Sequence, residues 1–293
     1  MPKRLNKAIE LLEQDQPIYY TSPSSVSYKC GLEMSATWAD YISIDMEHGA
    51  FDMTALGEFM RGLVDAGPTK SGHLTPAVIV SVPTEGSSEN IVRGNSWMFK
   101  QVLARGVHGV ILCHAESPEA VTAFVESCRY PFNTHGVGQG IQQGRRGSAG
   151  QASASAIWGI PVEEYLEKAD VWPLNHNGEI LLGIKIENSR ALVKAESTTQ
   201  VPGIAFGEWG PGDMGMSLGH PNSHDPPYPS EMVKARARVM AACHDAGLYF
   251  LNGVKKENVT DMLDEGVMIG SCGSDGEETS AVGRTHTKRS MPV

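Results

Sequence analysis

The residues best suited to chemistry lie in the segment IDMEHG, Ile44 to Gly49, where two acids and a histidine follow an apolar run. Ala39 to Ile44 is predicted as a short buried strand, so Asp45, Glu47 and His48 fall at its carboxyl end. Charged side chains are rarely buried unless they are paired or bind something. In parallel α/β folds, binding sites are built at that end of the strands. Taken alone, the segment is equally compatible with a polar turn.

Two further acids follow other predicted strands. Glu187 comes directly after the apolar run from Ile180 to Ile186, and Asp213 lies just past the run from Ile204 to Phe206. The carboxyl ends of the strands of a barrel share one face, so Glu187 and Asp213 are expected to be neighbours. Neighbouring carboxylates repel each other unless a proton or a cation lies between them, and oxygen ligands favour Mg²⁺ or Mn²⁺ over zinc. The alternative is that each acid caps the helix after its strand.

Alternating strands and helices would position these side chains. Eight apolar runs predict the strands Ile18–Thr21, Ala39–Ile44, Ala77–Val82, Val107–Cys113, Ile180–Ile186, Ile204–Phe206, Gly247–Leu251 and Val267–Gly270. Helical patterns between them indicate parallel βαβ units. For 293 residues, one α/β domain of the (β/α)8 TIM barrel type fits this pattern better than two doubly wound domains.

The boundaries of this barrel can also be predicted. We expect a single domain over residues 1–293, with a core from about residue 17 to residue 272. An N-terminal helix precedes the barrel, because apolar residues between Lys3 and Glu13 form one stripe. Pro83 is expected to end the third strand. The C-terminal tail from Gly273 is polar, and we expect it to be mobile or to bridge subunits.

Composition and charge argue against several classes of function. The formal net charge of −10 is unlike that of a nucleic-acid-binding protein, which usually carries a basic face. The amino terminus lacks the apolar region of a secretory signal, and no run approaches the roughly 20 apolar residues of a membrane span. Five dispersed cysteines without a CxxC pair favour a cytoplasmic protein with reduced thiols. We therefore expect no nucleic-acid or membrane partner. No glycine-rich phosphate motif supports a nucleotide cofactor.

A series of motifs gives the chain a resemblance to a known family. In order they are IDMEHG, GVHGVILCHAESPEA, RYPF, GRRG, IPVEEYLEKAD, KIEN and PGIAFGEWGPGDMGMSLG, between about Ala39 and Gly270. Their order and spacing resemble the HpcH/HpaI aldolase family, the metal-dependent (class II) pyruvate aldolases of the phosphoenolpyruvate/pyruvate superfamily. Macrophomate synthase is a more distant relative. The resemblance implies a (β/α)8 barrel with carbon–carbon lyase activity.

The resemblance also implies roles for single residues. Glu187 and Asp213 match the two carboxylates that bind the divalent metal, expected to be Mg²⁺, with Mn²⁺ and Co²⁺ as alternatives. A 2-oxo acid would chelate this metal, which would stabilise a pyruvate enolate as a Lewis acid. His48, oriented by Asp45, would be the base that takes a hydroxyl proton in cleavage and returns it in condensation. Glu47 is assigned neither to the metal nor to proton transfer, and we expect it to support the residues that are.

Four positions depart from the family pattern. Ser81 replaces an arginine that holds the 2-oxo acid, and Ala104 replaces an acid in the turn LARG. Lys185 replaces a glutamine two residues before the metal glutamate, and His114 stands near the family's proline after the fourth strand. We therefore expect the metal and base residues to be retained and the substrate-holding residues to have changed.

The candidate substrate-binding residues share a predicted position near the carboxyl ends of the strands. They are Ser81, Arg93, His114, Arg145, Lys185, Trp209 and Gly212. Arg93 could supply the missing cation or be a solvated helix charge, and Arg145 lies in a loop that borders the family's site. His114 could bind substrate or cap a turn, and Trp209 could wall the pocket or fill the core. Lys185 could meet a substrate carboxylate, neutralise the metal glutamate, or form a Schiff base with a keto acid, although a metal pair would then be redundant.

The leading functional prediction is an aldolase that cleaves a 4-hydroxy-2-oxo acid to pyruvate and an aldehyde, or runs the reverse. The expected partners are therefore a small-molecule 2-oxo acid and an aldehyde, and the family implies a homo-oligomer, a hexamer or trimer of dimers. One alternative, motivated by Ser81, is a related lyase or 2-oxo acid decarboxylase with an altered substrate. Another is a non-catalytic barrel that binds a metal and a keto acid, which the retention of His48 with Asp45 disfavours.

Overall fold

The protein forms a closed ring of eight parallel strands surrounded by helices. The structure, a computed structural model, describes residues 3–293. The strands are β1 (Ile18–Thr21), β2 (Tyr41–Asp45), β3 (Ala77–Glu85), β4 (Gly109–Cys113), β5 (Val171–Trp172), β6 (Ile180–Lys185), β7 (Phe206–Glu208), β8 (Tyr249–Val254) and β9 (Val267–Cys272). Neighbouring strands pair in parallel, and the pairing of β4 with β6 closes the ring. The predicted (β/α)8 barrel is confirmed.

The helices of the described chain alternate with these strands. They are α1 (Lys7–Leu12), α2 (Tyr28–Met34), α3 (Met53–Ala66), α4 (Glu89–Gly94), α5 (Ser96–Leu103), α6 (Pro118–Cys128), α7 (Gln151–Trp158), α8 (Val162–Lys168), α9 (Ser189–Val193), α10 (Ala195–Thr199), α11 (Pro211–Leu218), α12 (Ser230–Asp245), α13 (Val259–Glu265) and α14 (Gly276–His286). Polar side chains cap the amino-terminal ends of several helices. At the start of α6, for example, Ser117 Oγ accepts a hydrogen bond from the backbone N–H of Ala120. Within residues 3–293, no helix combines the length and the apolar character needed to cross a membrane.

Several strands begin or end up to three residues from their predicted bounds, and two differences, in β3 and β5, have a clear physical reason. Strand β3 does not stop at Pro83 but continues to Glu85. Its pairing with β4 shifts between Ser81 and Glu85, so the missing N–H of the proline falls in an irregular part of the ladder. Strand β5 was not predicted because it has only two residues, Val171 and Trp172, which is too short for a periodic pattern. It pairs with β6 beside the closed ring.

The amino-terminal half of the barrel interior is an apolar core. Ile79, Ile111, Leu181 and Phe206 belong to four different strands and are buried together there. The predicted N-terminal helix, α1, closes this end of the barrel with an apolar face formed by Ala8, Ile9, Leu11 and Leu12. This packing leaves the carboxyl ends of the strands as the polar end of the barrel.

The polar segment after Gly273 forms α14 and is bound to the barrel through Asp40, a fully buried residue just before β2. Arg289 donates hydrogen bonds of 2.8 and 2.6 Å to the two carboxylate oxygens of Asp40, and Arg284 donates one of 3.2 Å. The ammonium of Lys7 lies 3.6 Å away. Burial favours the neutral acid, but these arginines outweigh it and hold the pKa of Asp40 below its ordinary value. The tail is therefore held against the barrel by charge pairs.

Candidate active site

Three strands direct ionisable side chains into the mouth of the barrel. In β2, Tyr41 belongs to the interior core, so the alternation of side chains places Asp45 on the same side. In β6, Leu181 belongs to that core, so Lys185 also points inward. Lys185 lies opposite Glu208 of β7 in the strand register. The carboxyl ends of these strands thus carry two acids and a lysine around one opening.

The carboxylate of Asp45 organises the turn after β2. One oxygen accepts the backbone N–H groups of Glu47 and His48 at 2.9 and 3.1 Å, and the other lies 3.0 Å from the imidazole Nδ1 of His48. This contact with Asp45 is the largest cause of the raised pKa of His48. The His48 side chain remains 61% exposed, so a substrate can reach it. The structure thus brings the predicted catalytic pair together.

Glu47 lies at the centre of the site. Its carboxylate is 2.8 Å from the Lys185 ammonium, 3.0 Å from the Cys113 thiol and 3.4 Å from His114 Nε2. Burial would raise its pKa, but the hydrogen bond with His114 and the charge of Lys185 outweigh burial and hold the pKa of Glu47 well below its ordinary value. Glu47 is therefore an ionised group that contacts Lys185, Cys113 and His114 at once. Its position is more central than the supporting one expected from the sequence.

Glu187 is a buried carboxylate that lacks full charge compensation. It accepts the backbone N–H of His114 at 3.0 Å, and both the Lys185 ammonium and the imidazole Nδ1 of His114 lie 3.6 Å from its carboxylate. Burial outweighs this attraction and raises the pKa of Glu187 to about 7. Gly210 has φ +50°, and a Cβ there would lie 2.6 Å from Glu187 Oε2. A side chain at position 210 would thus clash with Glu187, so this close approach requires glycine.

The donor atoms around Glu187 fit a divalent cation. Donor atoms of Glu47, His114 and Glu187 lie within 4.8 Å of one another. A buried carboxylate whose charge is incompletely compensated is a group that a divalent cation would stabilise. Asp213 lies in the first turn of α11, but no three-donor group within residues 3–293 includes it. The hydrogen bond with Glu47, followed by negative charges that include Glu187 and Asp213, raises the pKa of His114 to about 8. The pairing of Glu187 with Asp213 stays a prediction.

The surroundings of Lys185 keep it charged. Burial would lower its pKa, but the nearby acidic groups, with Glu208 first among them, outweigh burial and raise the pKa. An amine must be neutral to attack a carbonyl group as a nucleophile. The structure therefore disfavours the Schiff-base alternative for Lys185.

The sequence matches a model of a known protein family over most of its length. The family described as HpcH/HpaI aldolase/citrate lyase matches residues 28–281. The chain belongs to this family. Membership confirms the resemblance drawn from the motifs and supports an enzyme with carbon–carbon lyase activity.

Two relatives illustrate the similarity in sequence. A hydroxypyruvate/pyruvate aldolase of Roseobacter denitrificans is 25% identical over 250 residues, which cover 85% of this chain and 84% of that enzyme. A 2-keto-3-deoxy-L-rhamnonate aldolase of Klebsiella pneumoniae is 29% identical over 156 residues, which cover 53% of this chain and 51% of that enzyme. The chain thus spans about half the length of the Klebsiella relative and most of the Roseobacter relative.

Solved structures share the fold of this family member. An HpcH/HpaI aldolase/citrate lyase family protein from Burkholderia cenocepacia has a TM-score of 0.71 at 22% identity, with 96% of this chain and 97% of that chain covered. Macrophomate synthase has a TM-score of 0.67 at 18% identity, covering 98% and 89%. The citrate lyase beta subunit of M. tuberculosis, complexed with oxaloacetate and magnesium, has a TM-score of 0.53 at 15% identity, covering 92% and 96%. These likenesses show the shared fold, and the magnesium belongs to the structure of the M. tuberculosis protein.

Two of the candidate substrate-binding arginines are engaged elsewhere. Arg93 donates a 2.9 Å hydrogen bond to Glu126 of α6 and a 2.6 Å hydrogen bond to Glu89. Arg145 Nε lies 3.6 Å from the same Glu126 carboxylate, which is fully buried. A buried carboxylate requires cations nearby, and these two arginines supply them. The structure thus joins Arg93 and Arg145 to Glu126 and not to the cluster around Glu187, and their predicted part in substrate binding stays a prediction.

The remaining candidates lie closer to the barrel mouth. Ser81 is buried in β3, where the family pattern has the arginine. Trp209 is buried and donates a hydrogen bond of 2.8 Å to the side chain of Asn252, so it fills the core between β7 and β8. Gly212 lies in the first turn of α11, and a Cβ there would be 3.1 Å from the His224 ring.

Two residues of the site were missed by sequence reasoning. Cys113, the last residue of β4, contacts Glu47, and Glu208 lies beside Lys185. Glu208 also lines a cavity of about 660 Å³ that extends past Tyr20 toward Arg236. The period-two alternation along β4 and β7 could have found both residues, because it assigns them to the barrel interior.

Proposed function

We propose that this protein is a divalent-metal-dependent aldolase that cleaves or forms 4-hydroxy-2-oxo acids, with pyruvate and an aldehyde as its small-molecule partners. The observation that carries the proposal is the hydrogen-bonded pair of His48 and Asp45, which Glu47 connects to the group that contains the buried Glu187, in a member of an aldolase family. The names of the Roseobacter and Klebsiella relatives include hydroxypyruvate, pyruvate and 2-keto-3-deoxy-L-rhamnonate, which supports 2-oxo acids as the substrate class.

Glu187 and Asp213 would hold the divalent cation. Mg²⁺ is the expected ion, with Mn²⁺ and Co²⁺ as alternatives, and the magnesium of the related citrate lyase beta subunit supports this choice. When bound, the cation supplies positive charge for the negative charge that develops on the 2-oxo oxygen. Gly210 packs directly against Glu187, so no side chain at that position displaces the carboxylate.

His48 would move the proton. In cleavage, its imidazole takes the proton of the C4 hydroxyl, the C3–C4 bond breaks, and the aldehyde forms. The electron pair of the broken bond goes to C3 and is delocalised onto the 2-oxo oxygen, and the protonated imidazole then gives its proton to C3, which completes pyruvate and restores the neutral base. Asp45 accepts a hydrogen bond from Nδ1 and so leaves Nε2 as the basic nitrogen. In condensation, the same steps run in reverse.

Pyruvate release provides a test of this function. The metal-stripped protein is incubated with a panel of 4-hydroxy-2-oxo acids, and pyruvate is measured with lactate dehydrogenase and NADH. We expect pyruvate to form after addition of Mg²⁺, Mn²⁺ or Co²⁺ and to stop forming when a chelator is added. Cleavage that proceeds without added metal, or no cleavage of any acid in the panel, would contradict the proposal.

A related lyase or 2-oxo acid decarboxylase is the second candidate function. The observation that favours it is Ser81, which leaves the site without the arginine of the family pattern, together with the engagement of Arg93 by Glu126. Decarboxylation of oxaloacetate yields the same pyruvate carbanion that aldol cleavage does. Release of CO₂ from oxaloacetate without cleavage of the hydroxy acids would select this candidate.

We also propose that the protein assembles as a homo-oligomer, a hexamer or trimer of dimers. Large apolar side chains on two neighbouring helices support an interface, because Ile91 of α4 and Trp97 of α5 are each 45% exposed. The Trp97 ring contacts Phe51 edge-on. Phe51 follows the IDMEHG turn, so this surface is connected to the chain segment that carries His48.

A further inference from the structure

Lys185 places a positive charge inside a group of carboxylates. Its ammonium lies 2.8 Å from Glu47 Oε2 and 3.6 Å from Glu187 Oε2, and the side chain is only 14% exposed. In the strand register Lys185 is paired with Glu208, whose charge acts on it strongly. One ammonium thus contacts two carboxylates, and a third acid lies opposite it on the neighbouring strand.

A divalent cation at Glu187 would meet this ammonium. Two positive charges against one carboxylate repel each other, and the repulsion is stronger in a buried site than in water. Lys185 has a closer contact with Glu47 than with Glu187, and Glu208 offers another carboxylate on its other side. The ammonium can therefore move away from Glu187 and remain paired.

We propose that Lys185 is a built-in counterion of Glu187 that competes with the divalent cation and sets its affinity. Without metal, the ammonium is shared by Glu47 and Glu187. With metal bound, Glu47 and Glu208 retain it. The inference rests on the proposed function in one respect, since it takes Glu187 as a metal ligand. It assigns Lys185 a positioning role toward the metal that the glutamine of the family pattern, which carries no charge, does not have.

Mn²⁺ binding to the metal-stripped, full-length protein tests this inference, with free Mn²⁺ measured by its electron paramagnetic resonance signal. Lys185→Gln and Lys185→Met should each bind Mn²⁺ about tenfold more tightly or better, because the competing charge is gone. Lys185→Arg keeps the charge and should stay within about threefold of the wild-type dissociation constant. Lys256→Gln is the matched control, because it removes an exposed lysine paired with Glu278 on α14, and it should bind Mn²⁺ as the wild type does.

The outcomes separate this inference from the proposed function. An affinity of Lys185→Gln and Lys185→Met equal to or weaker than that of the wild type would overturn the inference. If Glu187→Gln abolishes Mn²⁺ binding in the same series, the proposed metal centre survives that result. If no protein in the series binds Mn²⁺, or if Glu187→Gln binds as the wild type does, the metal centre and the inference fail together. Two neutral replacements of different shape guard against a local folding defect in either one.

Glu208 provides an independent arm of the same experiment. Glu208→Gln removes a negative charge and should weaken Mn²⁺ binding in any background. If Glu208 also draws the ammonium from Glu187, the weakening should be larger in the presence of Lys185 than in the Lys185→Gln background. Equal effects in the two backgrounds would remove Glu208 from the proposal.

Discussion

Asp45 supports His48 with both oxygens of its carboxylate. One oxygen accepts the backbone N–H groups of Glu47 and His48 and fixes the turn, while the other contacts the imidazole Nδ1. Turn geometry and ring orientation thus depend on one side chain. Because the second contact raises the pKa of His48, it also determines the pH at which the imidazole becomes a neutral base.

Asp45→Asn should separate these two effects, because an amide oxygen can still accept both backbone N–H groups. We expect kcat/KM to fall by about 10- to 100-fold, as for a general base that loses its orienting partner. The acid limb of the pH profile should move to lower pH, because the largest cause of the raised His48 pKa is removed. Initial rates across a pH series measure both changes. An acid limb that does not move would exclude His48 as the titrating base.

At the scale of secondary-structure elements, the start of α11 determines access to Glu187. The chain leaves β7, turns at Gly210 with φ +50° and enters α11 at Pro211. A left-handed backbone conformation favours glycine, and here a Cβ would also clash with the buried carboxylate of Glu187. Glycine is therefore required at position 210 both by the positive φ and by the close contact with Glu187.

Gly210→Ala should reduce Mn²⁺ affinity by about 10-fold or more, because its Cβ would lie 2.6 Å from Glu187 Oε2. Gly219→Ala is a matched control at the other end of α11. Gly219 also has a positive φ, of +84°, but a Cβ there would meet no atom within 4 Å. Titration of both metal-stripped variants with Mn²⁺ measures the difference. Equal affinities would show that the space beside Glu187 is not used by the cation.

A second set of elements depends on Asp40, which ties α1 and α14 to the start of β2. Its carboxylate is fully buried and contacts Lys7, Arg284 and Arg289. Removal of one partner from such a group leaves the remaining charges buried and unpaired. The stability of both chain ends should therefore depend on this single acid.

Asp40→Asn should lower the free energy of unfolding at pH 7 by about 3–5 kcal/mol, measured by urea denaturation. Because the native pKa of Asp40 lies below its ordinary value, its contribution is present above the unfolded pKa, about 3.9, and is lost as pH falls through the native pKa. The difference from the wild type should therefore shrink below about pH 4. Asp264→Asn, at an exposed partner of His286, is the control and should change stability by less than about 1 kcal/mol. A deficit for Asp40→Asn that grows in acid would contradict this account.

At the scale of the whole molecule, the barrel could be predicted because its strands carry a strong pattern. Runs such as Ala77 to Val82 are apolar except for Ser81, as expected for strands covered by helices on one side and by the barrel core on the other. The two-residue β5 and the continuation of β3 past Pro83 could not be predicted. Both depend on pairing with a neighbouring strand, which leaves no periodic signal in the local sequence.

The site was predictable where its residues are local in sequence and less so where the fold assembles them. Asp45 and His48 form their contact within one turn, so their spacing was sufficient. The central position of Glu47 depends on Lys185, which is far away in sequence and is brought near by β6. Arg93 was assigned to the substrate because it follows β3, and only the three-dimensional arrangement shows that the buried Glu126 binds it.

The most direct test of the central claim is the exchange of the methyl protons of pyruvate in D₂O, followed by proton NMR with the Mg²⁺-loaded protein. The wild type should exchange these protons only when the metal is present, because exchange requires the same C3 carbanion as aldol chemistry. His48→Ala should lose the exchange while it keeps its metal, and Lys256→Gln should retain it. Exchange that persists in His48→Ala, or that proceeds equally after removal of the metal, would contradict the claim that His48 is the base of a metal-dependent aldolase.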